Sequence, residues 1–141
     1  ALAAAVSSGN GKIVSILLSH MENPGVDGFG DGLKKEASAA MTAASLMAMN
    51  NVWYPFVEMV DDENLSGLPA QLRMNAITSH GGTSKANFEA YSLAASIVGK
   101  CHFCVKAHYE TLRKEGFTVE QLRDIGRIAA VMTSVCRVLV G

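Results

Sequence analysis

The stretch of sequence that decides the fold runs from Glu89 to His108 and reads EAYSLAASIVGKCHFCVKAH. Helix-forming residues fill both halves of it, and Gly99 stands between them as a break. The second half places Cys101 three residues before Cys104, and His108 follows four residues later. Residues three and four apart share one face of a helix. The stretch therefore predicts two helices joined at Gly99, with two thiols and an imidazole on one face of the second.

The position of Glu89 relative to the break gives this carboxylate a partner. Glu89 lies ten residues before Gly99, and His108 lies nine residues after it. Each helical residue advances about 1.5 Å, so an antiparallel pair of helices brings both side chains to the same height. A carboxylate on a mostly apolar helix face is costly to bury unpaired. We therefore expect Glu89 to face His108 across the hairpin, with Cys104 one turn away, as a single proton-transfer group.

The two closely spaced cysteines leave three interpretations open. A C-x-x-C pair is typical of redox-active dithiols, and the start of a helix favours the thiolate form of Cys101. A zinc site is the second interpretation, and it requires a fourth ligand besides the two thiols and the imidazole. Candidates for that ligand are Cys136, His80 and Glu89. The third interpretation is inert packing.

Several other residues that could carry chemistry have simpler explanations. Cys136 stands in an apolar run and is predicted to be a buried structural thiol. His102 lies between the two cysteines and is a candidate for relaying protons or tuning the redox balance, or else a plain surface residue. Methionines 41, 47 and 49 are predicted to fill the core rather than to bind a cofactor.

The rest of the chain is also predicted to be helical, because alanine, leucine and methionine dominate and no alternating strand pattern occurs. We expect a first helix ending before Asn23, then a Gly/Asp-rich connection over 25–32 and a buried helix over 33–50. After an interruption at Asn50–Asn51, we expect a segment over 52–60, an acidic turn region over 61–69 and a short helix over 70–79. Three helices are expected to follow: one capped by Thr83 or Ser84 and ending at 98, one over about 101–114 closed by Gly116, and a last one that a capping box at 118–121 opens and that runs through 139.

The alanine-rich stretches contain a faint internal repeat. The sequence AASL at 43–46 matches AASI at 94–97, an offset of 51 residues. Two explanations remain open: chance similarity among alanine-rich helices, or a duplicated helical hairpin in which only the second copy kept its reactive groups.

Composition excludes several classes of protein. The chain has 141 residues, which is the length of one domain spanning 1–141, and 49% apolar against 18% charged residues argues against disorder. No apolar run reaches the roughly 18 residues that a membrane span needs. A net charge of −1 without basic clusters excludes a nucleic-acid footprint. Three cysteines are too few for a disulfide-stapled secreted scaffold, so we expect a cytoplasmic protein, and its low charge predicts a homo-oligomer.

The pattern E-x11-C-x2-C-x3-H, together with the helix over 118–135 that follows it, resembles the AhpD-like proteins of the carboxymuconolactone decarboxylase-like superfamily. The stretches MNNVWY at 49–54, LRMN at 72–75 and KANFE at 85–89 also resemble that family, so most of the chain is covered. The resemblance implies an all-α, AhpD-like fold with a duplicated helical hairpin, assembled as a homotrimer.

The resemblance also implies an activity and a set of roles. Such proteins are antioxidant dithiol oxidoreductases that reduce peroxides or the disulfide of a partner peroxiredoxin of the AhpC type. Their electrons come from dihydrolipoamide carried on a lipoylated dehydrogenase-complex subunit, and no cofactor or metal is bound. By this resemblance Glu89 is the base, Cys104 the buried thiol that becomes a thiolate, Cys101 the more exposed resolving thiol that closes a redox-active disulfide with it, and His108 the relay partner.

One position departs from the pattern of the family. Some members carry histidine directly before the second cysteine, whereas this chain has Phe103 there and its histidine one place earlier, at His102. One residue is about 100° of helix rotation, so the resemblance does not assign that relay to His102, and disulfide exchange is better supported than direct peroxide turnover. The alternative function is a non-catalytic Cys/His metal-binding helical protein. A decarboxylase of the same superfamily is a weaker alternative, because that chemistry has no use for a dithiol.

Overall fold

A computed structural model of the chain describes residues 1–22, 30–72 and 82–139, and α-helices make up most of them. The helices are α1 (Leu2–Ser7), α2 (Gly11–Glu22), α3 (Gly30–Val60), α4 (Glu63–Ser66), α5 (Lys85–Gly99), α6 (His102–Lys114) and α7 (Val119–Val138). No strand occurs in these three ranges, which confirms the all-α prediction. Within the same ranges, no helix is both long and apolar enough to cross a membrane.

Helix α3 lies at the centre and packs against α1, α2 and α5, while α5 also packs against α6 and α7. The contact between α3 and α5 is built largely from small side chains, among them Ala39, Ala43 and Ala44 of α3 and Ala95 of α5. Because a methyl group takes little space, the two helix axes approach closely along this contact. A second cluster, with Leu112 at its centre, fixes the hairpin of α5 and α6 against α7.

The predicted interruption at Asn50–Asn51 is wrong, because α3 runs unbroken from Gly30–Val60. Asparagine disfavours helix by competing for backbone hydrogen bonds, but here one side chain is buried and the other bonds to a neighbouring helix. Asn50 is buried, and the Asn51 amide donates to the carbonyl of Ala95 in α5 at 3.3 Å. Packing against α5 thus outweighs local propensity.

Three further sequence expectations need adjustment. Positions 30–32, expected in the Gly/Asp-rich connection, belong to α3, and 23–29 lie outside the described residues. The acidic turn region contains the short helix α4, which Asp62 caps by accepting from the Asn64 amide at 2.8 Å. The short helix expected over 70–79 falls mostly outside the described residues, and its described part, 70–72, is not helical.

The hairpin of α5 and α6 matches its predicted boundaries to within one residue. Ser84 caps α5 by accepting from the Asn87 amide at 3.1 Å, and α5 ends at Gly99. The turn itself is made by Lys100, whose φ of 55° is left-handed, and Cys101 then caps α6.

Gly99 does not make the turn itself. Its lack of a side chain instead allows α5 to pack closely against α3. A β-carbon added at Gly99 would lie 2.0 Å from Nδ2 of Asn51 in α3, so only glycine permits this approach of the two helices.

The end of α6 and the start of α7 agree with the sequence prediction. Gly116 has a left-handed φ of 96°, and the amide of Phe117 donates to the carbonyl of Leu112 at 3.0 Å, which closes α6. Thr118 and Gln121 then form the predicted capping box of α7. These local signals hold because each is satisfied by backbone groups only a few residues away.

A half-buried carboxylate ties α5 to α3 away from the cysteines. The hydroxyl of Tyr91 donates to Glu36 in α3, and the hydroxyl of Thr83 donates to the same carboxylate at 2.7 Å. Burial, and after it the hydrogen bond to Glu36 and the charge of that group, raises the pKa of Tyr91 far above its ordinary value. The start of α5 is therefore fixed by a hydrogen bond that requires neutral Tyr91.

Replacing Gly99 with alanine is expected to lower the free energy of unfolding by about 1–3 kcal/mol, because the added methyl group displaces Asn51 and overpacks the contact. Gly126→Ala in α7 is the matched control, since a β-carbon there meets nothing within 4 Å. That change should leave stability unchanged or raise it by up to about 1 kcal/mol. Urea unfolding of the two oxidised variants measures the difference, and equal stabilities would contradict the close contact.

Replacing Tyr91 with phenylalanine is expected to flatten the loss of stability at alkaline pH. The pKa of Tyr91 is raised in the folded state. Its contribution to the free energy of unfolding is therefore complete below about pH 10 and is lost as pH rises through the folded-state pKa. Above about pH 10, the free energy of unfolding should fall more steeply in the wild type than in Tyr91→Phe, by up to about 1.4 kcal/mol per pH unit. Urea unfolding at several alkaline pH values measures the slopes, and identical slopes in the two proteins would exclude this contribution.

Candidate active site

The two closely spaced cysteines form a disulfide at the start of α6. Cys101 and Cys104 are joined with a Cα–Cα distance of 5.3 Å, which is ordinary for a disulfide. Cys101 is the N-terminal cap of the helix rather than part of it, and its Sγ accepts from the backbone N–H of Cys104 at 3.3 Å. The free amides and the positive end of the helix dipole therefore surround these sulfurs, and this environment favours a thiolate once the disulfide opens.

Both sulfurs of the disulfide are buried in this chain. Cys101 is 0% exposed and Cys104 is 3% exposed, so the expectation that Cys101 is the more exposed thiol is wrong for the oxidised chain. The reason is the position of Cys101 in the tight turn beneath α3, where its Sγ lies 3.8 Å from the carbonyl oxygen of Asn50. A reagent must therefore reach the disulfide through a local opening or at its edge.

The structure brings Glu89 and His108 together across the hairpin, as the residue spacing predicts. Nδ1 of His108 lies 2.6 Å from Oε2 of Glu89, and the two side chains are 17% and 18% exposed. A short hydrogen bond between a carboxylate and an imidazole is strengthened where water is largely excluded. His108 stands one turn after Cys104 on α6, so an acid–base pair lies next to the disulfide.

Sequence reasoning missed one residue of this site, Met47 of α3. Its Sδ lies 3.2 Å from Nε2 of His108, and the side chain is 2% exposed. The expectation that the methionines of this helix only fill the core is thus incomplete for Met47. It is wrong for Met41 and Met49, whose side chains are exposed. No local pattern distinguishes the three, because the distinction depends on how α3 is rotated against α6.

The two residues between the cysteines, His102 and Phe103, are exposed. His102 is 83% exposed, and its Nδ1 lies 3.6 Å from Oε1 of Glu58 in α3. The ring of Phe103 stacks on that of Tyr54, with 4.3 Å between centroids. The structure therefore places His102 at the surface beside an acidic partner, and its suggested part in proton relay or tuning stays a prediction.

Other sequence candidates lie apart from this site. Cys136 is a free, buried thiol that packs with Ala5 and Ile13, as expected of a structural cysteine. His80, a candidate metal ligand, lies outside the described residues. Among residues 1–22, 30–72 and 82–139, no group of three or more side chains is arranged to hold a metal ion.

A surface pocket of about 280 Å³ adjoins the start of α6. It is lined by Pro55, Glu58, Met59, Lys100 and His102, and the last two of these flank Cys101 in sequence. A larger pocket of about 470 Å³ lies on α7, around Ile128 and Val131. Of these two pockets, the smaller one therefore adjoins the candidate site.

Comparison with known proteins gives a consistent picture. The family model of the carboxymuconolactone decarboxylase family matches residues 65–140. The chain is 38% identical over 138 residues to an alkyl hydroperoxide reductase AhpD of Coxiella burnetii (strain Dugway 5J108-111), covering 98% of this chain and 73% of that protein. It is 44% identical over 98 residues to AhpD of Bradyrhizobium sp. (strain BTAi1 / ATCC BAA-1182), covering 70% of this chain and 54% of that protein. It is 42% identical over 102 residues to AhpD of Maricaulis maris (strain MCS10), covering 72% of this chain and 58% of that protein.

Replacing Glu89 with glutamine is expected to slow alkylation of the reduced thiols by about tenfold or more near neutral pH, because the amide keeps the shape of the side chain but cannot accept the thiol proton. Glu110→Gln, on the exposed face of α6, is the matched control and should react like the wild type. Iodoacetamide kinetics between about pH 6 and pH 9 measure the effect. Identical rates in Glu89→Gln and wild type across that range would exclude Glu89 as the proton acceptor.

Proposed function

The chain belongs to the carboxymuconolactone decarboxylase family, and within it we propose that the protein is an antioxidant dithiol oxidoreductase of the AhpD type. The observation that carries this proposal is a disulfide between Cys101 and Cys104 one helical turn from the Glu89–His108 pair. A dithiol held at a helix start beside an acid–base pair has what peroxide reduction and disulfide exchange both require: a thiolate and a place for its proton.

Peroxide reduction by the reduced site proceeds in two balanced steps. The thiolate of Cys104 attacks one oxygen of the peroxide, the O–O bond breaks, and the other oxygen takes up a proton and leaves as an alcohol or water. Cys104 is then a sulfenic acid. The thiol of Cys101 attacks this sulfur, the S–S bond forms, and water leaves. The product is the disulfide that the structure contains.

Reduction of the disulfide restores the site by thiol–disulfide exchange. One thiolate of an external dithiol attacks a sulfur of the Cys101–Cys104 bond, and the other cysteine leaves as a thiolate that takes up a proton. The second external thiol then attacks the mixed disulfide, which releases the oxidised donor and the reduced protein. We propose dihydrolipoamide, carried on a lipoylated dehydrogenase-complex subunit, as the donor, and the disulfide of an AhpC-type peroxiredoxin as an acceptor, with no bound cofactor.

Disulfide exchange is the better supported of the two activities. Direct peroxide turnover benefits from a relay next to the attacking thiol, and the histidine between the cysteines, His102, points to solvent beside Glu58. Exchange with another protein or a dithiol needs no such relay, since the acid–base pair of Glu89 and His108 already serves the leaving thiolate. We therefore assign this chain mainly to the transfer of electrons between dithiols.

The disulfide favours this proposal over the two alternatives. Sulfurs joined to one another are not thiolate ligands, so the oxidised chain does not present the Cys/His set that a metal-binding protein would use. Decarboxylation, which the name of the family raises, has no step for a paired dithiol. Neither alternative explains why Glu89 and His108 are placed beside the two cysteines.

Assembly and location are part of the same proposal. Val52, Phe56 and Met59 form an exposed apolar strip on the C-terminal half of α3. Contiguous apolar surface of this kind supports burial against another chain, and we propose a homotrimer. We also propose that the offset of 51 residues between the alanine-rich stretches reflects a duplicated hairpin. A cytoplasmic setting fits a site that must return to the dithiol form.

Titration of thiols before and after addition of peroxide tests the proposed function. We expect one equivalent of peroxide to consume both site thiols of the reduced wild type, and dihydrolipoamide to restore them. Cys104→Ser should lose this reaction, whereas Cys136→Ala, which removes the remote buried thiol, should retain it. Direct peroxide reduction is excluded if peroxide consumes no more thiol in the wild type than in Cys104→Ser, and the proposed function as a whole fails if dihydrolipoamide also does not reduce the wild-type disulfide. Near-stoichiometric zinc in reduced protein purified without chelator would favour the metal-binding alternative.

A further inference from the structure

We propose that Met47 is a positioning residue for proton transfer: its thioether keeps a proton on Nε2 of His108, so the mobile proton of the site lies between Nδ1 and Glu89. The catalytic meaning of this inference rests on the proposed function, whereas the placement of the proton does not. The core-filling methionine expected from the sequence thereby acquires a part in the acid–base chemistry.

The imidazole of His108 is held between two partners on different helices. Glu89 of α5 approaches Nδ1 to 2.6 Å, and Sδ of Met47 in α3 approaches Nε2 to 3.2 Å. The amide Nδ2 of Asn50 lies 3.9 Å from the same sulfur. Met47 is almost fully buried, so water does not compete for its sulfur. Among the described residues, Glu89 is the charged group within ion-pair distance of His108.

The chemistry of these two partners restricts where protons can be. A thioether sulfur accepts hydrogen bonds but has no proton to donate. If Nε2 were unprotonated, its lone pair would face the lone pairs of sulfur in a site that excludes water. Both nitrogens of His108 are satisfied when Nε2–H donates to Met47 and one further proton is shared between Nδ1 and Glu89. This holds whether that proton makes an ion pair or an acid with a neutral ring.

When Nε2 of His108 keeps its proton, the Glu89–His108 pair binds a proton more strongly after it has lost the shared one than it would if the Nε2 proton could move to Nδ1. When an external thiolate breaks the disulfide, the departing Cys104 thiolate takes the shared proton from the pair. The carboxylate of Glu89 then faces an unprotonated Nδ1, which is repulsive. The ring relieves this repulsion by moving its remaining proton from Nε2 to Nδ1, and the contact with Met47 opposes that change. The Glu89–His108 pair therefore takes the shared proton back from Cys104. Cys104 is left as the thiolate that attacks peroxide.

Nitrogen NMR of the oxidised protein tests the placement of the proton directly. Long-range ¹H–¹⁵N correlations distinguish protonated from unprotonated ring nitrogens, and comparison with His108→Gln assigns the signals of His108. We expect Nε2 of the wild type to be protonated near neutral pH. In Met47→Leu, which keeps an apolar side chain without the sulfur, the ratio of Nε2-protonated to Nε2-unprotonated rings should fall about fivefold, the effect of one weak hydrogen bond. Met49→Leu, the same change at an exposed site of α3, should match the wild type.

Alkylation kinetics give the second readout. Reduced Met47→Leu should react with iodoacetamide about fivefold more slowly than the wild type near neutral pH, and Met49→Leu should not differ. An unprotonated Nε2 in the wild type overturns the proposal, even if Met47→Leu does not fold. A folded Met47→Leu with the wild-type spectrum also overturns it.

The two proposals fail separately. If peroxide does not oxidise the wild-type thiols and dihydrolipoamide does not reduce the wild-type disulfide, the proposed function is removed and the placement of the proton stays intact. An unexpected His108 spectrum in a protein that still consumes thiols removes only the assignment of Met47.

Discussion

The close approach of α3 and α5 at Gly99 is the contact on which the candidate site depends. Because Gly99 has no side chain, Asn51 fits against the end of α5 and its amide reaches the carbonyl of Ala95. The chain then has one residue, Lys100 in the left-handed conformation, in which to reverse direction. That short turn puts Cys101 directly beneath α3, and it fixes the register in which α6 returns along α5. Both the burial of the disulfide and the height of the acid–base pair follow from it.

The site is assembled by three helices rather than by one motif. Helix α6 carries Cys104 and His108 on one face, α5 contributes Glu89, and α3 contributes Met47. Each partner of the imidazole compensates for part of the cost of burying a polar group: the carboxylate at one nitrogen and the thioether at the other. The apolar, alanine-rich contacts around them exclude water, and a hydrogen bond is electrostatically stronger in such surroundings. A rigid scaffold and a reactive pair thus have the same origin in tight helix packing.

The sequence could predict what depends on local spacing, and not what depends on how distant helices meet. Caps, the hairpin of α5 and α6 and the pairing of Glu89 with His108 follow from residues within one or two helices, and the structure reproduces them. Asn51 resembles a helix breaker until α5 supplies its hydrogen-bond acceptor. The contact of Met47 with His108 joins residues 61 positions apart, and no periodicity within either helix specifies it. The burial of Cys101 likewise depends on the position of α3 over the turn.

The cap of α6 has a consequence for the way oxidation state is communicated through the fold. Most helices are capped by an oxygen whose character never changes, but here the acceptor for the amide of Cys104, in the first turn, is Sγ of Cys101. In the oxidised chain this acceptor is also bonded to Cys104, so reduction frees the sulfur and changes the hydrogen bond that anchors the first turn. The oxidation state of the site and the hydrogen bonding of this helix end are thereby coupled at one atom.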